Sequence, residues 1–147
     1  MKQTAPLEIG LPVIDLPKMV DFYSRVFGCE EVRRADIPAE LSRAIGVTDE
    51  GYENVWMRFP GGEVVKLVRP KSPPQLTPTK AFSAESTGIA YFTLYCDDIA
   101  AAIARAVEQG AQLVSEPGLA EESNPVRLAF LRDPEGNVFE FVQATPN

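Results

Sequence analysis

Apolar and polar positions alternate with period two at the start of the chain and switch to a helical period a few residues later. In 7–14, Ile9, Leu11 and Val13 share one face while Glu8, Gly10 and Pro12 share the other, the pattern of a half-buried strand. Pro12 cannot donate to a ladder, so this strand is expected at an edge or a bulge. Asp15 then suits an N-cap, with Pro17 in the first turn. Met19, Phe22, Tyr23, Val26 and Phe27 fall on one helical stripe, and Gly28 suits the C-cap.

A second strand is expected over Cys29–Ala35. Residues 38–46 suit a short helix, or a lid over a cavity within 37–50, with Ile37, Leu41 and Ile45 as apolar positions. Tyr52–Phe59 alternates again: Val55, Met57 and Phe59 on one face, Asn54, Trp56 and Arg58 on the other. Pro60-Gly61-Gly62 turns the chain into a fourth strand, Glu63–Val68, with Lys66 at its middle. Residues 70–87, with Pro70, Pro73, Pro74 and Pro78, read as the one linker-like stretch.

The plan then repeats. A strand over Ile89–Cys96 leads to Asp98 as an N-cap. The following helix carries Ile99, Ile103, Ala106 and Val107 on one stripe and closes at Gly110. A short strand over Gln112–Val114 and a polar loop over Ser115–Pro125 follow. The last two strands, Val126–Arg132 and Val138–Val142, are joined by Asp133-Pro134-Glu135-Gly136-Asn137, a strong turn signal in which Gly136 and Asn137 tolerate positive φ. Asp15 maps onto Asp98, and Glu8 onto Tyr91, at an offset of 83; Lys66 maps onto Glu140 at an offset of 74. Each half is therefore β-α-β-β-β, too small for a good core alone. The expected organisation is a first module at 1–69, a Pro-rich linker at 70–87 and a second module at 88–147, together one domain of the α+β class.

Composition narrows the chemistry. The 147 residues carry a formal charge of −7, which disfavours nucleic acid or an anionic membrane as partner. No signal peptide and no transmembrane run are read from the sequence, so a cytoplasmic protein is the expectation. Cys29 and Cys96 fit neither a disulfide framework nor a zinc motif and are expected as buried thiols. The chain has no histidine, which excludes His-based zinc sites and imidazole bases, so acid–base work falls to carboxylates, Lys, Tyr or Cys. Glu140 inside an apolar strand faces solvent, finds a partner or does chemistry.

The repeat, with Glu8 to Leu16, Phe22-Tyr23 followed by Gly28, Tyr91 to Ile99, and the Asp133–Asn137 turn before Glu140, resembles the vicinal oxygen chelate superfamily: glyoxalases, bleomycin-resistance proteins and extradiol dioxygenases. The resemblance implies two tandem βαβββ modules forming a cup-shaped mixed β-sheet with helices packed outside. In metal-dependent members, the first and last strands of each module send ligands into the cup, usually His or Gln, Glu, His and Glu. Carried over, those positions are Glu8, Lys66, Tyr91 and Glu140, and Lys66 offers no acceptor at neutral pH.

The resulting expectation is a protein binding a small organic molecule without a conventional His-based metal site. No cofactor is expected; a divalent metal, with Glu8 and Glu140 as weak candidate ligands, is a minor alternative. In this reading the Lys66 ammonium stands between Glu8 and Glu140 in place of the ion. Trp56, Tyr95, Asn54, Arg58 and Thr93 are the expected ligand-binding residues. The alternative is a lyase or isomerase acting next to a carbonyl, with Glu140, Lys66, Tyr91 and Glu8 as catalytic residues, either metal-free or with an atypical ligand set. An ordinary glyoxalase I or extradiol dioxygenase is disfavoured for want of ligands. Trp56 and Tyr91 equally suit packing inside a filled cup, and Lys66 a surface strand end. The resemblance further implies a homodimer.

Overall fold

In a computed structural model, which describes residues 3–76, 84–85, 87–122 and 126–144, alternation and punctuation become two four-stranded sheets. The chain divides into two compact units, Met1–Gln75 and Leu76–Asn147.

The first unit runs β1 (Glu8–Pro12), α1 (Leu16–Phe27), β2 (Glu30–Ile37), α2 (Ala39–Ala44), β3 (Tyr52–Arg58) and β4 (Val64–Pro70). Its sheet order is β1-β4-β3-β2, with β1 parallel to β4 and the other pairs antiparallel. Pro12 thus lies on an edge strand, as its missing N–H requires. Asp15 caps α1 through its carboxylate, which accepts from the Lys18 N–H at 3.1 Å, and Gly28 ends the helix at φ 68°. The apolar stripe does what its spacing dictates: Met19, Phe22, Tyr23 and Val26 are buried, as are Val55, Met57, Val65 and Leu67 on the alternate positions of β3 and β4. The opposite face of the sheet is left to Asn54, Trp56, Arg58 and Lys66.

The second unit runs β5 (Phe92–Tyr95), α3 (Ile99–Glu108), β6 (Gln112–Leu113), a 3-10 turn (Pro117–Ala120), β7 (Val126–Arg132) and β8 (Val138–Ala144). Its order, β5-β8-β7-β6, repeats that of the first sheet. Asp98 caps α3 by accepting from the Ala101 N–H at 3.0 Å. Ile99, Ala106, Ala129, Leu131, Phe139 and Phe141 form the buried interior. The fold is therefore α+β, built as two tandem modules, each with its own mixed sheet.

Several local expectations shift. Ile45 and Leu41 are about half exposed, and α2 is anchored by fully buried Ser42. The Ser42 hydroxyl donates to the Thr48 carbonyl at 2.8 Å and accepts from the Thr48 N–H at 3.0 Å, so a polar loop contact replaces the apolar one. Val107 is likewise exposed. In the β7–β8 turn only Gly136 takes a positive φ, of 92°, and no non-glycine residue does so among those described. Asn137 instead uses its side chain. The buried Asp133 carboxylate accepts from the N–H groups of Glu135 and Asn137, each at 2.9 Å, and from Asn137 Nδ2 at 2.8 Å. The β3–β4 turn has the same backbone frame, with the Phe59 N–H on the Glu63 carbonyl and the Gly62 N–H on the Phe59 carbonyl. The stretch expected as a linker, 70–87, has residues 77–83 and 86 outside those described, as are 123–125 of the polar loop.

Candidate functional site

The mid-sheet positions of the two units are equivalent in register and opposite in chemistry. In the first unit, Gly10 of β1 stands across from Lys66 of β4, and Trp56 of β3 flanks Lys66 on the other side. The Lys66 ammonium is 3.2 Å from a Glu8 carboxylate oxygen, with both side chains partly exposed. Glu8 and Lys66 are thus brought together, as the sequence suggested.

In the second unit, Thr93 of β5 stands across from Glu140 of β8, and Phe130 of β7 lies on its other side. The Thr93 hydroxyl donates to Glu140 Oε2 at 2.6 Å, so the partner of Glu140 within its unit is a hydroxyl. Tyr91 precedes β5, which begins at Phe92 rather than Ile89; it is 44% exposed and its ring packs edge-on against Phe130 at 4.9 Å. Tyr95 lies exposed at the end of β5.

The remaining residues named from sequence lie on the open face of the first sheet. Arg58 pairs with Glu30 at 3.1 Å. Asn54 is only 5% exposed, and its Oδ1 has no hydrogen-bond partner among the described residues. A buried amide oxygen left without a donor is unusual enough to need a cause.

Sequence reasoning missed Arg33. Its guanidinium carbon lies 4.5 Å from the centre of the Trp56 ring. A β-bulge between Glu31 and Arg33 puts it there. Strict alternation from Glu30 would send Arg33 to the α1 side and Arg34 to the open face; the extra residue, Val32, reverses both. Arg34 consequently reaches Glu31 and Glu53 on the α1 side, at 2.8 Å and 2.6 Å. The Glu31 and Glu53 carboxylates drive the Arg34 pKa upward, and the hydrogen bond from Arg34 holds Glu31 below the ordinary carboxylate value.

Of the two thiols, Cys29 is buried and its pKa is pushed up to about 12 by desolvation. Cys96, expected buried, is partly exposed; desolvation, then the charges of Asp97 and Asp98, raise its pKa.

Residues 5–141 match the glyoxalase/bleomycin resistance protein/dioxygenase superfamily. The chain belongs to that superfamily. A lactoylglutathione lyase of Arabidopsis thaliana is 29% identical over 142 residues, covering 95% of this chain and 44% of that protein. The chain spans about half the length or less of the curated relatives it matches. A glyoxalase family protein from Bacillus cereus superposes with a TM-score of 0.81 at 21% identity, covering 99% of this chain and 97% of that one. The fosfomycin resistance protein FosX of Listeria monocytogenes, solved with Mn(II) and sulfate, superposes with a TM-score of 0.60 at 15% identity, covering 98% of this chain and 95% of that one.

These relatives correct one expectation. The sequence reading gave no cofactor, with Lys66 in place of an ion. The curated relatives are lactoylglutathione lyases, which are metal-dependent, so kinship speaks against the expectation of no cofactor. The chain's donors fit such an ion at two of the four carried-over positions. Glu8 and Glu140 are carboxylates suited to a hard cation, whereas Lys66 has no lone pair to give at neutral pH and Tyr91 is a weak donor unless ionised.

Proposed function

We propose that this chain binds a small organic molecule on its mid-sheet faces. The supporting observation is the pairing of a charged group with an aromatic at the same register in both units: Glu8–Lys66 beside Trp56, and Thr93–Glu140 beside Phe130 and Tyr91. Small-molecule sites combine apolar walls with a few fixed polar groups, which is what these rows offer. Asn54 and Arg58 flank the first row, and Tyr95 ends the strand that carries Thr93.

A second reading, favoured by the lactoylglutathione lyase relatives, is a lyase or isomerase acting next to a carbonyl. In this reading Glu140 takes the proton; Thr93 engages Oε2 and leaves Oε1 free of that bond, which supports the role. In the other unit Glu8 would do the same, and Lys66 or Arg58 would steady negative charge on the substrate oxygen. A divalent ion, when bound, would polarise such oxygens as a Lewis acid; the carboxylate suited to a hard cation is Glu8 in the first unit and Glu140 in the second. For Glu8 this requires release from Lys66.

We further propose a cytoplasmic homodimer. Membership of a superfamily whose members often form dimers supports the homodimer, and the acidic charge is unsuited to an anionic membrane surface.

The deciding experiment presents the full chain with S-lactoylglutathione and a panel of small 2-oxo and 2-hydroxy compounds, with Mn2+, Ni2+, Zn2+ or Mg2+ added singly. Saturable heat on titration without consumption supports binding alone. Metal-stimulated conversion of the thioester to free thiol and a 2-oxo aldehyde supports the lyase, whereas release of thiol with lactate is hydrolysis and speaks against it. A chain that neither binds nor consumes any of them is not a small-molecule protein of this kind.

A further inference from the structure

We infer that the open face of the first sheet is built to take a small molecule bearing a carboxylate, with Arg33 as the residue that selects for the charge. This rests on the reading that the face binds a small organic molecule, and it names the class.

The charges on that face nearly cancel in pairs. Lys66 is matched by Glu8, and Arg58 by Glu30. Arg33 has no carboxylate partner among the described residues, although the neighbouring Arg34 has two. One cation is therefore left over on a face with an otherwise balanced set. A single negative charge completes it, which favours a carboxylate over a phosphate dianion.

Placement makes Arg33 more than a loose surface side chain. The β-bulge turns it onto the face, and its guanidinium carbon lies over the Trp56 ring, 4.5 Å from the centroid. Bulges re-aim individual side chains. Stacking on a ring leaves the N–H edge of the guanidinium to meet a carboxylate in the bidentate manner, with part of the ordering cost already met. Two residues before Trp56 on the same face, the buried Asn54 Oδ1 lacks a donor. A hydroxyl or N–H on the ligand would satisfy it. The class is thus a carboxylate carrying a nearby hydrogen-bond donor.

Trp56 is the one tryptophan in the chain, so its emission reports on this row alone. The full chain would be titrated with phenyllactate, with its neutral amide and with phenyl phosphate, following Trp56 fluorescence and heat. Phenyllactate should shift the emission saturably and bind about tenfold or more tighter than the amide, the worth of one charge-assisted hydrogen-bonded contact. Arg33→Gln should raise its Kd by about the same factor and leave the amide unaffected, while Arg33→Lys recovers part of the loss. Unchanged melting of the variants would show that this exposed residue is not needed for folding. If acid and amide bind equally, or Arg33→Gln changes neither, the carboxylate assignment is wrong and the binding face stands. If phenyl phosphate binds tightest through Arg33, the charge-matching argument is wrong. If no compound moves Trp56 or gives heat, the assignment falls together with the binding reading for this face.

Discussion

Thr93 and Glu140 face each other across the parallel β5–β8 pair, and the threonine hydroxyl donates to the carboxylate at 2.6 Å. Because the pair lies on the open face, its value is in aiming the carboxylate rather than in holding the sheet. Thr93→Val should therefore cost about 1 kcal/mol or less of stability, since the freed carboxylate can turn to water. Ligand affinity or turnover at this unit should fall by roughly tenfold, with Thr93→Ser recovering most of it. Paired melts and titrations of the two variants check this; a large loss of stability with no loss of affinity would assign the pair to the fold instead.

Lys66→Met separates the two functional readings. The Glu8–Lys66 pair is partly exposed, so its removal should change stability by no more than about 1 kcal/mol. A binding protein would lose a few-fold in affinity, whereas an enzyme that uses the ammonium against a developing oxyanion would lose turnover by about a hundredfold or more. Steady-state rates and calorimetry on the same preparation distinguish them.

Asp133 should behave as a structural residue although it is a buried carboxylate near Glu140 in sequence. Its two oxygens collect three N–H donors within the turn. Asp133→Ala leaves those donors buried or poorly hydrated and should destabilise by about 2–3 kcal/mol, measured by urea unfolding. Ligand binding by the fraction that remains folded should be unchanged.

The thiols should differ in reactivity and in their effect on stability. Burial holds Cys29 protonated up to about pH 12, so a maleimide at pH 7 should label Cys96 in the folded chain and Cys29 only on unfolding. The raised pKa also sets a sign. Above the ordinary thiol value of 9.0 the unfolded chain loses the proton while the folded chain keeps it. Stability from this group is thus full below about pH 9 and declines as pH rises towards 12. Cys29→Ala should flatten that decline, seen by comparing alkaline melts of the two proteins.

Much of this fold was readable because it is written in punctuation that depends on near neighbours. Asp15 and Asp98 cap helices, Gly28 ends one, and Pro12 marks an edge, each through chemistry confined to a few residues. That Lys66 and Glu8 lie together was carried over from the superfamily's site positions on the first and last strands of a module, not read from the residues themselves. What escaped depends on partners that the linear pattern does not name. A single extra residue, Val32, exchanges the faces of Arg33 and Arg34, and alternation has no means of announcing where a ladder slips. Leu41 looked like the anchor of α2, yet Ser42 is buried there, because the loop at Thr48 supplies hydrogen bonds that no periodicity reveals. The cofactor expectation failed for a different reason: residue types at four positions describe what each can donate, not what ion a lineage handles.

Gly10 occupies, in the first unit, the place that Thr93 holds in the second, and a Cβ built on it would meet no atom within 4 Å. The first half therefore has room for the hydroxyl it lacks. Gly10→Thr with Lys66→Glu would rewrite its central pair in the image of its twin, at the cost of setting a second carboxylate beside Glu8. The two halves thus set charges of opposite sign at equivalent places of one repeated plan, so a ligand offered to both would meet a cation in one and an anion in the other.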